Sequence, residues 1–238
     1  MRSASPLAIA FLLGSAAACA PEGSSAYVSR NLPLDGDCTP MFDGNAGIAT
    51  GSYDVGDDRA TGCVHSYMMS LLVNSSLKAN ARDSTGRAEP NVLLITHADV
   101  RIMNKNEETL NFLLPNKSAD PLYPNPYRVH TAASLEPTVS ASEASTGYVQ
   151  IEAIPKAYAS KLTGYNGNSI LLEVQVFGTT TGDVDVDFRP FLYPLVICTG
   201  CMSSCYGDIK SDTVTTTTGD GCQDNGAQDG RRCIDPGC

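Results

Sequence analysis

The chain is predicted to be all-β, an immunoglobulin-like antiparallel sandwich carrying a disulfide-rich C-terminal tail. Three observations carry that expectation. Six runs are rich in β-branched or aromatic residues and bounded by Gly, Pro, Asn or Asp. Helical periodicity is confined to one short stretch. The strand-like runs also follow one another through turns rather than through helices, which is the order of a sandwich rather than of a parallel α/β sheet.

Taken in order, the runs are SYMMSLLV (66–73), NVLLITHADVRIM (91–103), TLNFLL (109–114), GYVQIEAI (147–154), SILLEVQVF (169–177) and DVDVDFRPFLYPLVI (183–197). The one helical stretch is PKAYASKL (155–162), with Pro155 suited to a first turn. The last two runs, joined by residues 178–182, form the clearest hairpin. Because side chains alternate along a strand, Val184, Val186 and Phe188 are expected to face the core, with Asp183, Asp185 and Asp187 outward.

Composition divides the chain into four parts. Residues 1–18 have one positive charge at Arg2, an apolar run from Leu7 to Leu13 and small residues before Cys19, the layout of a secretory signal peptide. Residues 19–37 read as a polar tether and 38–197 as the sandwich. Residues 198–238 hold six cysteines and few aliphatics, so disulfides must replace a core that cannot form there.

Ala16-Ala17-Ala18-Cys19 resembles the lipobox of bacterial lipoproteins. The resemblance implies that Cys19 receives a diacylglycerol, becomes the N-terminus and is acylated. Ala16 stands where leucine is usual, and ordinary cleavage with Cys19 left as a disulfide partner is the alternative. Ala20, rather than Asp, after Cys19 implies sorting to the outer membrane in such proteins. The mature chain, through LLVNSSL, ADVRI, LLEVQVFGTTTGDVDVDFRPFLYPLVICTGC and its Gln-Asp-Gly cysteine tail, resembles cysteine-rich lipoproteins of myxobacteria-like bacteria. That likeness bears on fold and location and brings no catalytic motif.

The chain has nine cysteines, an odd number for an exported protein. Lipidation of Cys19 leaves Cys38, Cys63, Cys198, Cys201, Cys205, Cys222, Cys233 and Cys238, expected as four disulfides in an oxidising compartment. Chain proximity pairs Cys38 with Cys63, and the six tail cysteines leave 15 connectivities open. Zinc at the C-x-x-C of Cys198 and Cys201 is the competing reading. Met202 follows Cys201, so no C-x-x-C-H for covalent haem is present.

With 26 acidic against 16 basic residues and a net charge of −10, the chain repels phosphate backbones, and nucleic acid is excluded as a partner. No G-x-S-x-G, H-E-x-x-H, P-loop or dinucleotide fingerprint occurs. His65, His97 and His130 lie in separate segments, and His97 and Asp99 share a strand face where a carboxylate could orient an imidazole. The Asp183, Asp185, Asp187 row is a calcium candidate without a ligand loop. No catalytic residue, metal ligand or cofactor is assigned. In the long connection from Pro115 to Gly147, Tyr123 and Tyr127 stand among prolines as candidate partner contacts, or as rings packed on the core.

The function expected from these features is that of a non-catalytic, lipid-anchored envelope protein, held to the membrane through its lipid. Its partner would be another envelope protein or a polysaccharide. A secreted hydrolase with a site in its loops and a calcium-dependent adhesion module are the alternatives.

Overall fold

A computed structural model describes residues 25–33, 39–42, 47–56, 66–79, 91–114, 118–139 and 143–199. Cys19, Cys38, Cys63, His65 and every cysteine after Cys198 lie outside these residues. The described residues form nine strands: β1 (Ala26–Asn31), β2 (Gly51–Asp54), β3 (Tyr67–Ser75), β4 (Leu93–Met103), β5 (Tyr127–Leu135), β6 (Ser145–Ile154), β7 (Ser169–Thr180), β8 (Asp185–Arg189) and β9 (Phe191–Cys198).

The strands make a two-sheet β-sandwich. One sheet has β3 between β1 and β6, all antiparallel. In the other, β7 lies between β4 and β9, β5 extends the β4 side and β2 the β9 side. Two short pairings are parallel, β2 with β9 and β1 with β8. Since β8 also pairs antiparallel with the end of β7, it joins the two sheets.

Alternation in β7 explains its place. Ile170, Leu172, Val174 and Val176 are fully buried while Leu171, Glu173, Gln175 and Phe177 are half-exposed on the other face. Tyr193, Leu195 and Ile197 of β9 and Ala98, Val100 and Ile102 of β4 bury their side of the same sheet. From the facing sheet come Met69, Leu71 and Val73 of β3 and Val149, Ile151 and Ala153 of β6, which join one continuous core. Each such Val, Leu, Ile or Met side chain contributes about 1.5–3 kcal/mol when removed from water.

Several expectations are corrected by this arrangement. The predicted tether contains β1, whose Ala26 and Val28 enter the core, so the sandwich begins at least twelve residues before Cys38. The stretch 109–114 makes only isolated bridges, Met103 with Thr109 and Leu113 with Ala119. The connection from Pro115 to Gly147 contains the nine-residue strand β5 and is not one long loop. The run 183–197 is interrupted at Pro190 into β8 and β9. Val186 and Phe188 face the core as expected, but Val184 is 61% exposed, because it sits in the turn where Asp183 takes a φ of 62°. The predicted helix is a single α turn, α1 (Ala159–Leu162), between two 3-10 turns.

A buried tyrosine cluster crosses the sandwich. Tyr53, Tyr67 and Tyr193, from β2, β3 and β9, are at most 1% exposed. The Tyr67 hydroxyl donates to that of Tyr193 at 3.2 Å, and the Asn31 amide donates to it at 3.3 Å. Asn31 Oδ1 in turn accepts from the Ser70 backbone N–H at 2.9 Å, so a polar side chain of β1 is satisfied inside the core. Burial, with Glu152 and Asp54 adding, pushes the Tyr53 phenol far above its ordinary value.

Gly51 leaves room for this cluster: a Cβ there would lie 2.0 Å from the Tyr67 hydroxyl. Gly51→Ala is expected to cost about 2 kcal/mol through overpacking, and Tyr67→Phe about 1 kcal/mol through the lost hydrogen bond. In urea denaturation the double variant should lose less than the sum, since the nearest clashing atom is gone. Additive losses would contradict the contact.

Candidate functional site

The outer face of the β1–β3–β6 sheet carries an open groove of about 460 Å³. Register sets its grid. Tyr27, Asn74 and Thr146 lie side by side across the three strands, and Arg30, Leu72 and Tyr148 form the next row. A bulge in β1 separates Val28 from Arg30, and Val28 and Asn31 both point inward, so Ser29 and Arg30 both turn to the outer face. The Asn74 amide donates to Ser29 Oγ at 2.9 Å, and Ser29 Oγ donates to the Leu72 carbonyl at 3.3 Å.

Phe42 covers one side of this grid, its ring 5.4 Å from that of Tyr148 and tilted by 58°. Tyr27, Phe42 and Tyr148 are 45%, 52% and 40% exposed, and they are the only large aromatic side chains among the described residues exposed to this degree. All three border one groove or touch its lining. A second groove of about 290 Å³ adjoins it through Ser29 and Arg30 and runs toward Phe191 and Leu192. No His, Cys, Asp or Glu is among the described residues lining either groove.

The titratable cluster named in the sequence lies on the outer face of the other sheet. A bulge in β4 between Ile95 and His97 turns Thr96 and His97 both outward. His97 stacks on Phe177 at 4.8 Å and stands opposite His130 of β5, a proximity that separation in sequence concealed. Asp99 does not orient the imidazole. It accepts two bonds from Arg128, at 2.7 and 3.0 Å, while His97 Nδ1 lies 2.9 Å from Thr96 Oγ1. Burial and then the Arg128 charge hold the imidazole below its ordinary 6.5, outweighing Asp99. Arg101 pairs with Glu173 alongside. These paired charges make a half-exposed polar face, and the described residues contain no group of three or more His, Cys, Asp or Glu placed to hold a metal ion.

Tyr123 and Tyr127 are packed rather than presented. Tyr127 is the first residue of β5, its hydroxyl donates to the Ala153 carbonyl, and its ring lies 4.9 Å from Tyr158. Burial raises its phenol well above the ordinary value, with Tyr158 next in effect. Tyr123 meets Tyr158 edge-on at 5.4 Å, with Lys161 Nζ 4.6 Å from its ring centroid. Asn125 clamps this loop to β4: its amide donates to the carbonyls of Ile102 and Leu110, and its Oδ1 accepts from Ile102 N–H. The loop thus packs on the core, with the Tyr127 hydroxyl bonded to β6 and the Tyr158 hydroxyl donating to the Pro124 carbonyl at 2.6 Å.

Of the other expected residues, Cys198 ends β9 and is disulfide-bonded, its sulfur 3.5 Å from the Tyr53 carbonyl oxygen. Asp183 belongs to the turn, while Asp185 is exposed at the start of β8, so the three aspartates of the predicted row do not share one strand. The groove residues were missed in the sequence because they come from distant segments, and each ring alone looks like an ordinary strand aromatic. No protein-family model matches this chain, and no curated protein does.

One buried acid ties the tyrosine loop to α1. Asp120 Oδ2 accepts from Lys161 at 3.0 Å and Oδ1 from the Leu122 N–H at 3.1 Å. Desolvation opposes its ionisation, yet the Lys161 hydrogen bond, the Leu122 N–H and the Lys161 charge outweigh it and hold the carboxyl below its ordinary 3.8. A carboxyl lowered in the fold stabilises above its unfolded value and loses that contribution as pH falls through the folded one. The melting temperature of the native chain should therefore exceed that of Asp120→Asn at pH 6, with the gap closing below about pH 4. A gap independent of pH would contradict the ion pair.

Proposed function

We propose that this is a non-catalytic, lipid-anchored protein of the bacterial cell envelope, sorted to the outer membrane, whose β-sandwich binds another surface component. The observation that carries the binding role is the gathering of Tyr27, Phe42 and Tyr148 on one open face. Exposing a large ring forgoes its burial, so three together at a groove are the mark of a contact surface. The anchoring role rests on Ala16-Ala17-Ala18-Cys19 and on the cysteine count, which is even once Cys19 is set aside. Two or more acyl chains hold a protein firmly to a bilayer where one holds it only marginally.

Anchor and binding face are separable. Cys19→Ala should move the protein from the membrane fraction to the soluble fraction of lysed cells, while purified variant and native chain melt alike. Retention of the variant in the membrane would overturn the lipid anchor. A photo-crosslinker placed at residue 148 on intact cells should capture an envelope component, and capture that is equally efficient from exposed Val184, at the far hairpin turn, would overturn the binding face.

A further inference from the structure

We infer that the face of β1, β3 and β6 bearing Tyr27, Phe42 and Tyr148 rests against the bilayer that carries the anchor, with its rings at the level of the lipid headgroups. The inference rests on the anchoring and binding readings above and names what the face binds.

The first argument is reach. Five residues, 20–24, separate Cys19 from Ser25, the first described residue, and β1 opens at Ala26. Even fully extended, the six steps from Cys19 to Ser25 span at most about 22 Å. Slack in the connection ends there, because the Ser25 carbonyl accepts from the Ser76 N–H at 2.8 Å and so belongs to the sheet. Acyl chains on Cys19 therefore hold the start of β1 close to the bilayer, and Tyr27 is the second residue of that strand.

The second argument is the gradient along the face. Ala26, Ser75 and Ser145 form the first row across the three strands, and Tyr27, Asn74 and Thr146 the second. Tyr148 stands two residues beyond Thr146, with the Phe42 ring 5.4 Å from its own. The next outward positions of β6 are Gln150 and Glu152, both exposed. The exposed rings thus occupy the rows nearest the entry of the chain, and the acid stands farther from it. With strands about 4.8 Å apart and a rise of about 3.3 Å per residue, the backbones of Tyr27 and Tyr148 are about 12 Å apart on the diagonal. That spacing suits a surface better than one small ligand.

The third argument is chemical. A tyrosine has an apolar body and a polar tip, and such rings settle where hydrocarbon meets water. Three rings alone hold a free protein weakly, but the anchor makes docking intramolecular, so the contact is populated in the anchored chain. The outer face of the other sheet does not suit a bilayer. There Arg128 pairs with Asp99 and Arg101 with Glu173, and these partly exposed ions would lose water against lipid.

The chain contains no tryptophan, so a single one introduced reports its own surroundings. The lipidated full chain carrying Tyr148→Trp is purified from membranes and reconstituted in phosphatidylcholine vesicles with ordinary or brominated acyl chains. Emission from position 148 should fall about twofold in the brominated vesicles, with a shift to shorter wavelength, because the ring lies at the interface. Both changes should persist at high salt, since the contact is apolar. Leu122 is 78% exposed on the loop before β5, at the end of the sandwich away from Ser25, and Leu122→Trp should show neither change. Adding Tyr27→Ser and Phe42→Ser to Tyr148→Trp should remove most of the quenching, with little change in melting temperature because both rings are exposed. Equal emission in the two kinds of vesicle, or equal quenching at 148 and 122, overturns the inference. Intact mass separates that failure from failure of the anchor: if the purified protein bears no acyl groups on Cys19, the anchoring reading falls and this inference with it. If Cys19 is acylated and position 148 is not quenched, while a crosslinker there captures an envelope protein on cells, the occupant is wrong and the binding reading stands.

Discussion

The pairing of β7 on both of its edges is the constraint from which the rest of the sandwich follows. Along one edge it pairs with β4 from Leu93–Thr180 to Met103–Leu171; along the other it must accept a partner twelve residues long. That partner is broken by Pro190, which has no N–H to give to the ladder. β9 pairs with the first half of β7 and β8 with the last residues. The Gln175 side chain spans the interruption by donating to the Phe188 carbonyl at 3.0 Å. Freed from strict continuity with β9, β8 reaches β1 on its other edge and ties the two sheets together.

From that junction the groove is assembled. The β8 pairing fixes Arg189 beside Tyr27, and β1 then brings its bulge against β3. The bulges in β1 and β4 work alike. At Ser29-Arg30 and at Thr96-His97, two successive side chains face outward between inward neighbours, so polar groups are presented without breaking the core. On one sheet the result is an open groove bordered by exposed rings. On the other, the ions are already paired with each other, Arg128 with Asp99 and Arg101 with Glu173, and little remains for a ligand.

Long strands with strong alternation or continuous apolar content were legible in the sequence, as β3, β4, β6, β7 and β9 show. Short strands were not. β1 has six residues including Arg30 and Asn31, and β2 only four, so tertiary pairing rather than local preference makes them strands. β5 was hidden because its outward positions, Arg128, His130, Ala132 and Ser134, are polar or small and prolines precede it. Residues 109–114 misled for the opposite reason. Leu110 and Phe112 are buried, at 6% and 8% exposure, but as a loop folded back on β4 and held by Asn125. The groove had no local signal at all: its rings stand at 27, 42 and 148, and only the strand register makes them neighbours.

Whether that face is where the sandwich meets a surface component is read most directly by amide NMR of the labelled protein during titration with solubilised envelope fractions. The account predicts shift changes confined to Tyr27, Ser29, Arg30, Asn74, Thr146 and Tyr148, with Arg189 among them and His97, Asp99 and Arg128 unmoved. Changes centred on the His97 face, or spread evenly over the surface, would contradict it.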